Sequence, residues 1–241
     1  MKPKLSVVIT NYNEKENLQR GVLEQMHQYL KSVDFSWEVI INDDGSTDGG
    51  DQIIKKFVEK NKDFKLIHGS HGGKAAGLLN GIKHATGEII LTTDMDQSTP
   101  LNEFDKLYPW FGKGYDVVFG SRGKLRENFP WYRQLTSWGF RTSDTQCGFK
   151  AYKSEVLKRI FPKLEVLKNN LSKGWVVSAF DVELLYMAEK VGANLKEVEV
   201  KWRDEDTSTG KQRNFVKESV DMLKQILMVK MNDSAGKYEK I

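Results

Sequence analysis

Residues 73–100, GKAAGLLNGIKHATGEIILTTDMDQSTP, hold one full repeat of the architecture: a helical pattern, a short apolar strand and a polar loop. Ala75, Leu78, Leu79 and Ile82 recur at three- and four-residue steps, which places them on one helical face over 74–85. After "ATG" the run EIILTT is apolar and too short for a helix, so it reads as a buried strand. DMDQSTP then closes the strand, and a second helical pattern follows over 102–111. Helix, strand, polar loop and helix in this order predict βαβ units, hence a parallel sheet with helices on both faces.

The same alternation extends both ways. Upstream lie the strand-like LSVVIT, WEVIIN and FKLIHG with helical patterns over 15–31 and 49–60; downstream lies YDVVFG. Each strand is followed by polar punctuation, TNYNE, DDGSTDGG, GSHGGK and DMDQSTP in turn. In a parallel sheet these loops meet along the carboxyl edge and form a cleft. From about Gly120 the pattern loosens into an Arg-, Trp- and Gly-rich loop, then DTQCGFKAYK, a helix over 180–190, the strand LKEVEV and a terminal helical stretch. The expectation is one α/β domain over 1–241, with a nucleotide-binding half (1–120) and an acceptor-binding half (121–241) sharing one sheet.

Composition narrows the class. A chain of 241 residues can bury a large core. Its 37 basic and 33 acidic side chains leave a net charge of +4, which points neither to nucleic acid nor to an acidic partner. The single cysteine, Cys147, excludes an internal disulfide framework and fits a reducing compartment. No apolar run approaches the roughly 20 residues of a membrane-spanning helix. The expected location is therefore cytoplasmic, with any membrane contact peripheral, at the membrane face.

Asp94 and Asp96 are the residues that most need an explanation. Spaced i, i+2 after a buried strand, their carboxylates project to the same side, and both ionise comfortably only beside a cation. A hard divalent ion such as Mg²⁺ held by one or two carboxylates and completed by substrate phosphates fits; the competing reading is a helix N-cap ahead of STPLNEF. Asp43 and Asp44 follow the second strand, where a turn alone explains Gly45 and Ser46 but not two acids. A carboxylate there can accept from a nucleobase N–H or from ribose hydroxyls. Lys74, at the start of a helix after several glycines, favours an anion. His68 and His71, with no companion acids or cysteines in sequence, read as ordinary loop histidines, and Cys147 as structural.

Taken together, VVITNYNEKENL, NDDGSTD, GKAAGLLNGIKHATGEIILTTDMDQSTP, VVFGSR, DTQCGFK and AFDVELL resemble glycosyltransferase family 2, and within it the polyprenyl-phosphate (dolichyl-phosphate) hexosyltransferases, closest to the dolichyl-phosphate β-glucosyltransferases. The resemblance spans nearly the whole chain. It implies the GT-A fold, a Rossmann-like mixed, mostly parallel sheet. It also implies that Tyr12, Glu14 and one or both of Asp43 and Asp44 hold the nucleoside of a nucleotide sugar, UDP-glucose or GDP-mannose, while Asp94 and Asp96 bind Mg²⁺ or Mn²⁺ on its diphosphate. Thr10 stands where the family usually has proline. Gln97 directly follows the second aspartate, whereas mannose synthases place a metal-contacting glutamine one position later, so its role is open.

The acceptor side has its own chemistry. Arg122, Lys124, Arg126, Arg133 and Arg141 face only Glu127 in sequence, interleaved with Phe129, Trp131, Tyr132, Trp138 and Phe140. Guanidinium groups suit phosphate, and aromatics with cations suit a lipid headgroup interface; a solvated basic loop is the plainer reading. By resemblance, Arg122, Arg133 and Ser137 are candidate acceptor-phosphate contacts, with Arg203 or Lys211 from a later loop as further candidates. The family's longer apolar stretch between SWGF and DTQCGFK shrinks here to Arg141, Thr142 and Ser143. The terminal FVKESVDMLKQILMVKM carries a stripe of Val216, Val220, Leu223 and Leu227 that packs on the domain or lies on a membrane.

A polyprenyl phosphate acceptor, with a second pKa of about 6, is largely a dianion near neutrality and needs no general base. Asp181 and Glu183 in AFDVELL are then candidates for orienting the sugar, or for a base toward a hydroxyl acceptor; Asp181 alternatively caps its helix. Two rivals stand beside the phosphate acceptor: a family 2 transferase acting on a glycan hydroxyl, and a non-catalytic module binding nucleotide sugar or nucleic acid. Two aspartates at the centre of the cleft speak against nucleic acid.

Overall fold

The computed structural model of the chain describes residues 2–122, 147–170, 180–203, 224 and 227–239. Seven strands form one sheet: β1 (Leu5–Asn11), β2 (Trp37–Asp43), β3 (Phe64–His68), β4 (Ile89–Asp94), β5 (Val117–Ser121), β6 (Lys150–Lys153) and β7 (Leu195–Glu199). Their spatial order is β3-β2-β1-β4-β6-β5-β7. Among the described residues β6 alone runs antiparallel, against both β4 and β5. The mostly parallel α/β sheet is thus the one the alternation predicts.

Period-2 alternation divides the core. Leu5, Val7, Ile9, Val39, Ile41 and Leu91 face one layer with Leu18, Leu23, Met26, Ile54 and Phe104, while Val8, Ile40 and Ile90 face the other with Leu78, Ile82, Leu157 and Leu184. The first layer is built by α1 (Lys15–Gln19), α2 (Val22–Leu30), α3 (Gly50–Lys60) and α5 (Phe104–Phe111); the second by α4 (Gly73–His84), α6 (Ser154–Ile160), α7 (Glu165–Asn170) and α8 (Phe180–Lys190). Each fully buried aliphatic side chain contributes about 1.5–3 kcal/mol, so both layers hold the sheet firmly.

Three departures from the sequence reading have local causes. The helix expected over 15–31 is two helices, because Gly21 takes a left-handed φ of 79° between them. The helix after DMDQSTP opens with a 3-10 turn at Leu101–Glu103, and Pro100 before it makes no side-chain cap bond. β6 was not expected at all. Α4 lies close on β1, since a Cβ on Gly81 would stand 2.4 Å from Val8 Cγ1. That approach brings the first turn of α4, with Lys74, to the carboxyl edge of the sheet.

Candidate active site

In the strand order the chain moves from β1 to β2 and β3 on one side and to β4 on the other, so the crevice outside the carboxyl ends of β1 and β4 is the switch point at which ligands bind in open α/β sheets. Asp94 ends β4 in register with Thr10 of β1, and Asn11 pairs with Asp43 of β2. The sequence's polar loops therefore converge as expected.

Asp94 is confined on one side and charged on the other. A Cβ on Gly148 would come within 2.3 Å of Asp94 Oδ2, so a larger residue there would displace the carboxylate. The Lys74 ammonium lies 2.5 Å from Asp94 Oδ1. Burial by itself lowers the Lys74 pKa, but Asp94, Asp181 and Asp96 outweigh it and raise the group above the ordinary lysine range, so it stays protonated. Met95 between the aspartates is buried in the core, and Asp96 Oδ1 accepts from Ser98 N at 2.8 Å. Gln97, with φ of 52°, donates its amide to the Asp94 carbonyl at 2.8 Å. Its side chain fastens the turn.

Asp181, on the first turn of α8, is tied from beneath. The fully buried Lys150 of β6 donates to Asp181 Oδ1 at 2.7 Å and to the Cys147 carbonyl. A buried ammonium needs such a partner, and the pair fixes where the carboxylate stands. Nothing in the sequence singled out Lys150. Glu183 was read as a site candidate and is a correction: it is buried away from the crevice, accepting from Glu165 N at 2.7 Å, Val166 N at 3.1 Å and the Tyr238 hydroxyl at 2.8 Å. On a helix, residues two apart point to nearly opposite sides, so Asp181 and Glu183 cannot serve one site.

The loops expected at the nucleoside form a bonded frame. Asp43 Oδ1 accepts from Asn11 Nδ2 at 2.7 Å and from Ser46 Oγ at 2.6 Å. Asp44 accepts the amides of Gly72 at 3.2 Å and Gly73 at 2.8 Å, which caps α4. Tyr12 stands with its ring centroid 4.7 Å from that of His71, whose Nδ1 lies 2.9 Å from the Asp44 carbonyl. His71 also takes a left-handed φ of 57°, a conformation that costs a non-glycine residue and clusters at functional sites. From sequence alone it reads as an ordinary loop histidine. Glu14 Oε2 accepts from Asn17 Nδ2 at 2.5 Å at the start of α1.

Beside Asp94 and Asp96 lies a polar cavity of about 140 Å³, lined also by Ser98, Thr99, Arg122, Gly148 and Trp202. The Arg122 guanidinium carbon sits 5.9 Å from the Trp202 ring centroid, a cation-π approach. Arg203 N donates to the Ser98 carbonyl at 2.9 Å, which holds the residue against the DMDQS turn. Arg133, Ser137 and Lys211 lie outside the described residues, as do Val216, Val220 and Leu223 of the terminal stripe. Cys147 is buried, as a structural thiol should be.

Among the described residues no cluster of three His, Cys, Asp or Glu side chains encloses a metal ion. The donors at hand, Asp94 and Asp96, are hard oxygens in the field of which a cation, Lys74, already sits. That set fits a hard divalent ion completing its shell from substrate oxygens. Among the described residues no helix is long and apolar enough to cross a membrane.

Comparison with known proteins agrees with this geometry. The chain is 30% identical to the dolichyl-phosphate beta-glucosyltransferase of Dictyostelium discoideum, over 96% of this chain and 75% of that protein. It is 31% identical to the human dolichyl-phosphate beta-glucosyltransferase, over 83% of this chain and 67% of that one. Glucosyl-3-phosphoglycerate synthase from Mycobacterium tuberculosis, solved with Mn²⁺, UDP and glucosyl-3-phosphoglycerate, superposes with a TM-score of 0.63 at 16% identity, over 95% of this chain and 79% of that one. At that identity the likeness speaks for the fold, which is GT-A. The family model described as Glycosyl transferase family 2 matches residues 6–176, and with so much of the crevice inside that span the chain belongs to glycosyl transferase family 2 and is a glycosyltransferase.

Proposed function

We propose that the chain transfers glucose from UDP-glucose to a polyprenyl (dolichyl) phosphate, with inversion at the anomeric carbon, dependence on Mg²⁺ or Mn²⁺, and action at the cytoplasmic membrane face. The observation that carries the reading is the cavity lined by Asp94, Asp96 and Arg122, with Lys74 2.5 Å from Asp94 at its edge and in the field of Asp181 and Asp96. The names of the relatives favour glucose and a dolichyl phosphate over GDP-mannose and other acceptors.

Asp94 and Asp96 would hold the ion, which when bound neutralises the diphosphate and so eases its departure. Lys74, protonated at the α4 start, supplies a second positive charge to the same phosphates. Tyr12, Glu14, Asp43 and Asp44 frame the nucleoside, the two aspartates through the loops they lock. Arg122 receives the acceptor phosphate, with Arg133, Ser137, Arg203 and Lys211 as further contacts. A phosphate oxygen attacks the anomeric carbon as the bond from that carbon to the diphosphate oxygen breaks, and UDP leaves with the electron pair. One displacement inverts the centre, giving a β-linked lipid phosphate from an α-linked donor.

No residue has to remove a proton from a dianionic acceptor. Asp181, engaged by Lys150 and facing Lys74, positions those ammonium groups and the sugar. This weighs against a hydroxyl acceptor, which would require a base. Calorimetric titration with UDP-glucose and GDP-mannose, each with and without Mn²⁺, followed by transfer to a short polyprenyl phosphate, tests the proposal. Metal-dependent binding of UDP-glucose and formation of the glucosyl lipid are expected; binding of neither donor would overturn it.

A further inference from the structure

The helical segment over 227–234 is built with an apolar side outward. Leu227, Met228 and Met231 are 53%, 52% and 70% exposed and are the large apolar side chains that stand out among the described residues. Their i, i+1, i+4 spacing puts them on one face of the helix. Leu227, read from sequence as part of a stripe that packs inward or meets a membrane, is on the outside.

The opposite face is fastened. Val229 is buried, Asp233 accepts from the Tyr186 hydroxyl and pairs with Lys190 of α8, and Tyr238 just beyond donates to Glu183. These ties hold the segment's one acidic side chain, Asp233, inward, so the helix cannot roll to hide its apolar face. Lys224 and Lys230 are exposed beside that face. Apolar side chains bordered by lysines, with the acid turned away, match a bilayer interface carrying negative charge.

We propose that this face docks the protein on an anionic lipid surface. Methionine suits the task, since its unbranched, flexible side chain adapts to an irregular apolar medium. A second copy of the chain fits less well, because three side chains fall far short of the roughly 20–30 residues a side of a stable protein interface. The inference rests on the proposed function in one respect: a polyprenyl phosphate is carried by a membrane, and an enzyme using it gains by resting there.

The test is co-sedimentation of the full chain with vesicles of phosphatidylcholine containing phosphatidylglycerol, against vesicles of phosphatidylcholine alone. Wild type is expected to sediment with the former, with the bound fraction falling as salt rises. L227E/M228E/M231E is expected to weaken binding at least tenfold and K230E to weaken the preference for phosphatidylglycerol, with thermal unfolding unchanged because all four side chains are exposed. Failure of wild type to sediment, or equal sedimentation by the triple variant, would overturn the proposal. So would a concentration-dependent dimer in light scattering that the triple variant abolishes while vesicle binding is absent. Transfer to a short, water-soluble polyprenyl phosphate separates the two claims. Retained transfer in the triple variant supports docking as a distinct role, and vesicle binding without any transfer by wild type supports docking while removing the acceptor assignment.

Discussion

Two carboxylate sites at opposite ends of the same sheet are satisfied in opposite ways. Near the start of β2, Glu38 receives four hydrogen bonds, from Ser6 Oγ at 2.7 Å, Thr86 N at 2.7 Å, Thr86 Oγ1 at 2.7 Å and Lys65 Nζ at 2.8 Å. Burial pushes its carboxyl up, but those four bonds prevail and hold it down at about 2. At the carboxyl edge, among the described residues, three carboxylates meet two ammonium groups: Lys74 pairs with Asp94 in the field of Asp181 and Asp96, and Lys150 pairs with Asp181. A carboxylate surrounded by donors is a structural tie; carboxylates that outnumber the ammonium groups among them are arranged to accept more positive charge. The contrast separates scaffold from site without appeal to any relative.

Removing the hidden tie of the active end should have the largest effect. Lys150→Met leaves Asp181 facing the crevice with its buried partner gone, which should cost about 3–5 kcal/mol of stability. The double variant Lys150→Met/Asp181→Leu is expected to recover much of that loss in urea unfolding without recovering transfer. Equal stability of the single and double variants would show that the pair is not coupled.

Crowding the same end is the next step down. Gly148→Ala puts a methyl group into the space of the Asp94 carboxylate. Displacing that group should lower transfer by roughly 10²-fold or more, in line with the loss of one preorganised electrostatic group. The stability cost should be about 1–3 kcal/mol, as for overpacking elsewhere. A variant with normal turnover would show that Asp94 need not stand where it does.

At the structural end the effect is smaller and purely on stability. Glu38→Gln should cost about 1–2 kcal/mol near neutral pH, with donor binding unchanged. The sign with pH follows from the depressed carboxyl. Its ordinary value is 4.5 and its folded value about 2, so as pH falls the unfolded chain takes up the proton first. The contribution is whole above the ordinary value and fades as pH drops through about 2. Unfolding free energies measured over this range should therefore fall more steeply for wild type than for Glu38→Gln; parallel curves would contradict the assignment.

The same contrast explains what could be read in the sequence. β1 to β5 and β7 and most helices announced themselves through period 2 and period 3.6, and the carboxyl-edge loops, with Asp94, Asp96, Asp43, Asp44 and Lys74, followed from the alternation alone. β6 did not, because Lys150 takes a buried position in the run Phe149 to Lys153 and breaks the apolar pattern that marks a strand. Its partner, Asp181, lies on a helix far along the chain, and no local pattern joins them. His71 reads in sequence as an ordinary loop histidine for a related reason: it draws its place from Tyr12 and the Asp44 carbonyl, both distant in sequence. Glu183 looked equivalent to Asp181 until the helix turned the two apart.

The central claim is that Asp94 and Asp96 are brought together to share a cation with a nucleoside diphosphate. Titration of UDP into wild type, Asp94→Asn and Asp96→Asn, each with and without Mn²⁺, measures it directly. Tighter binding of UDP with Mn²⁺ in wild type, and loss of that enhancement in both variants with folding intact, is the predicted result. Wild-type affinity indifferent to Mn²⁺, or an enhancement that survives in both variants, would contradict it.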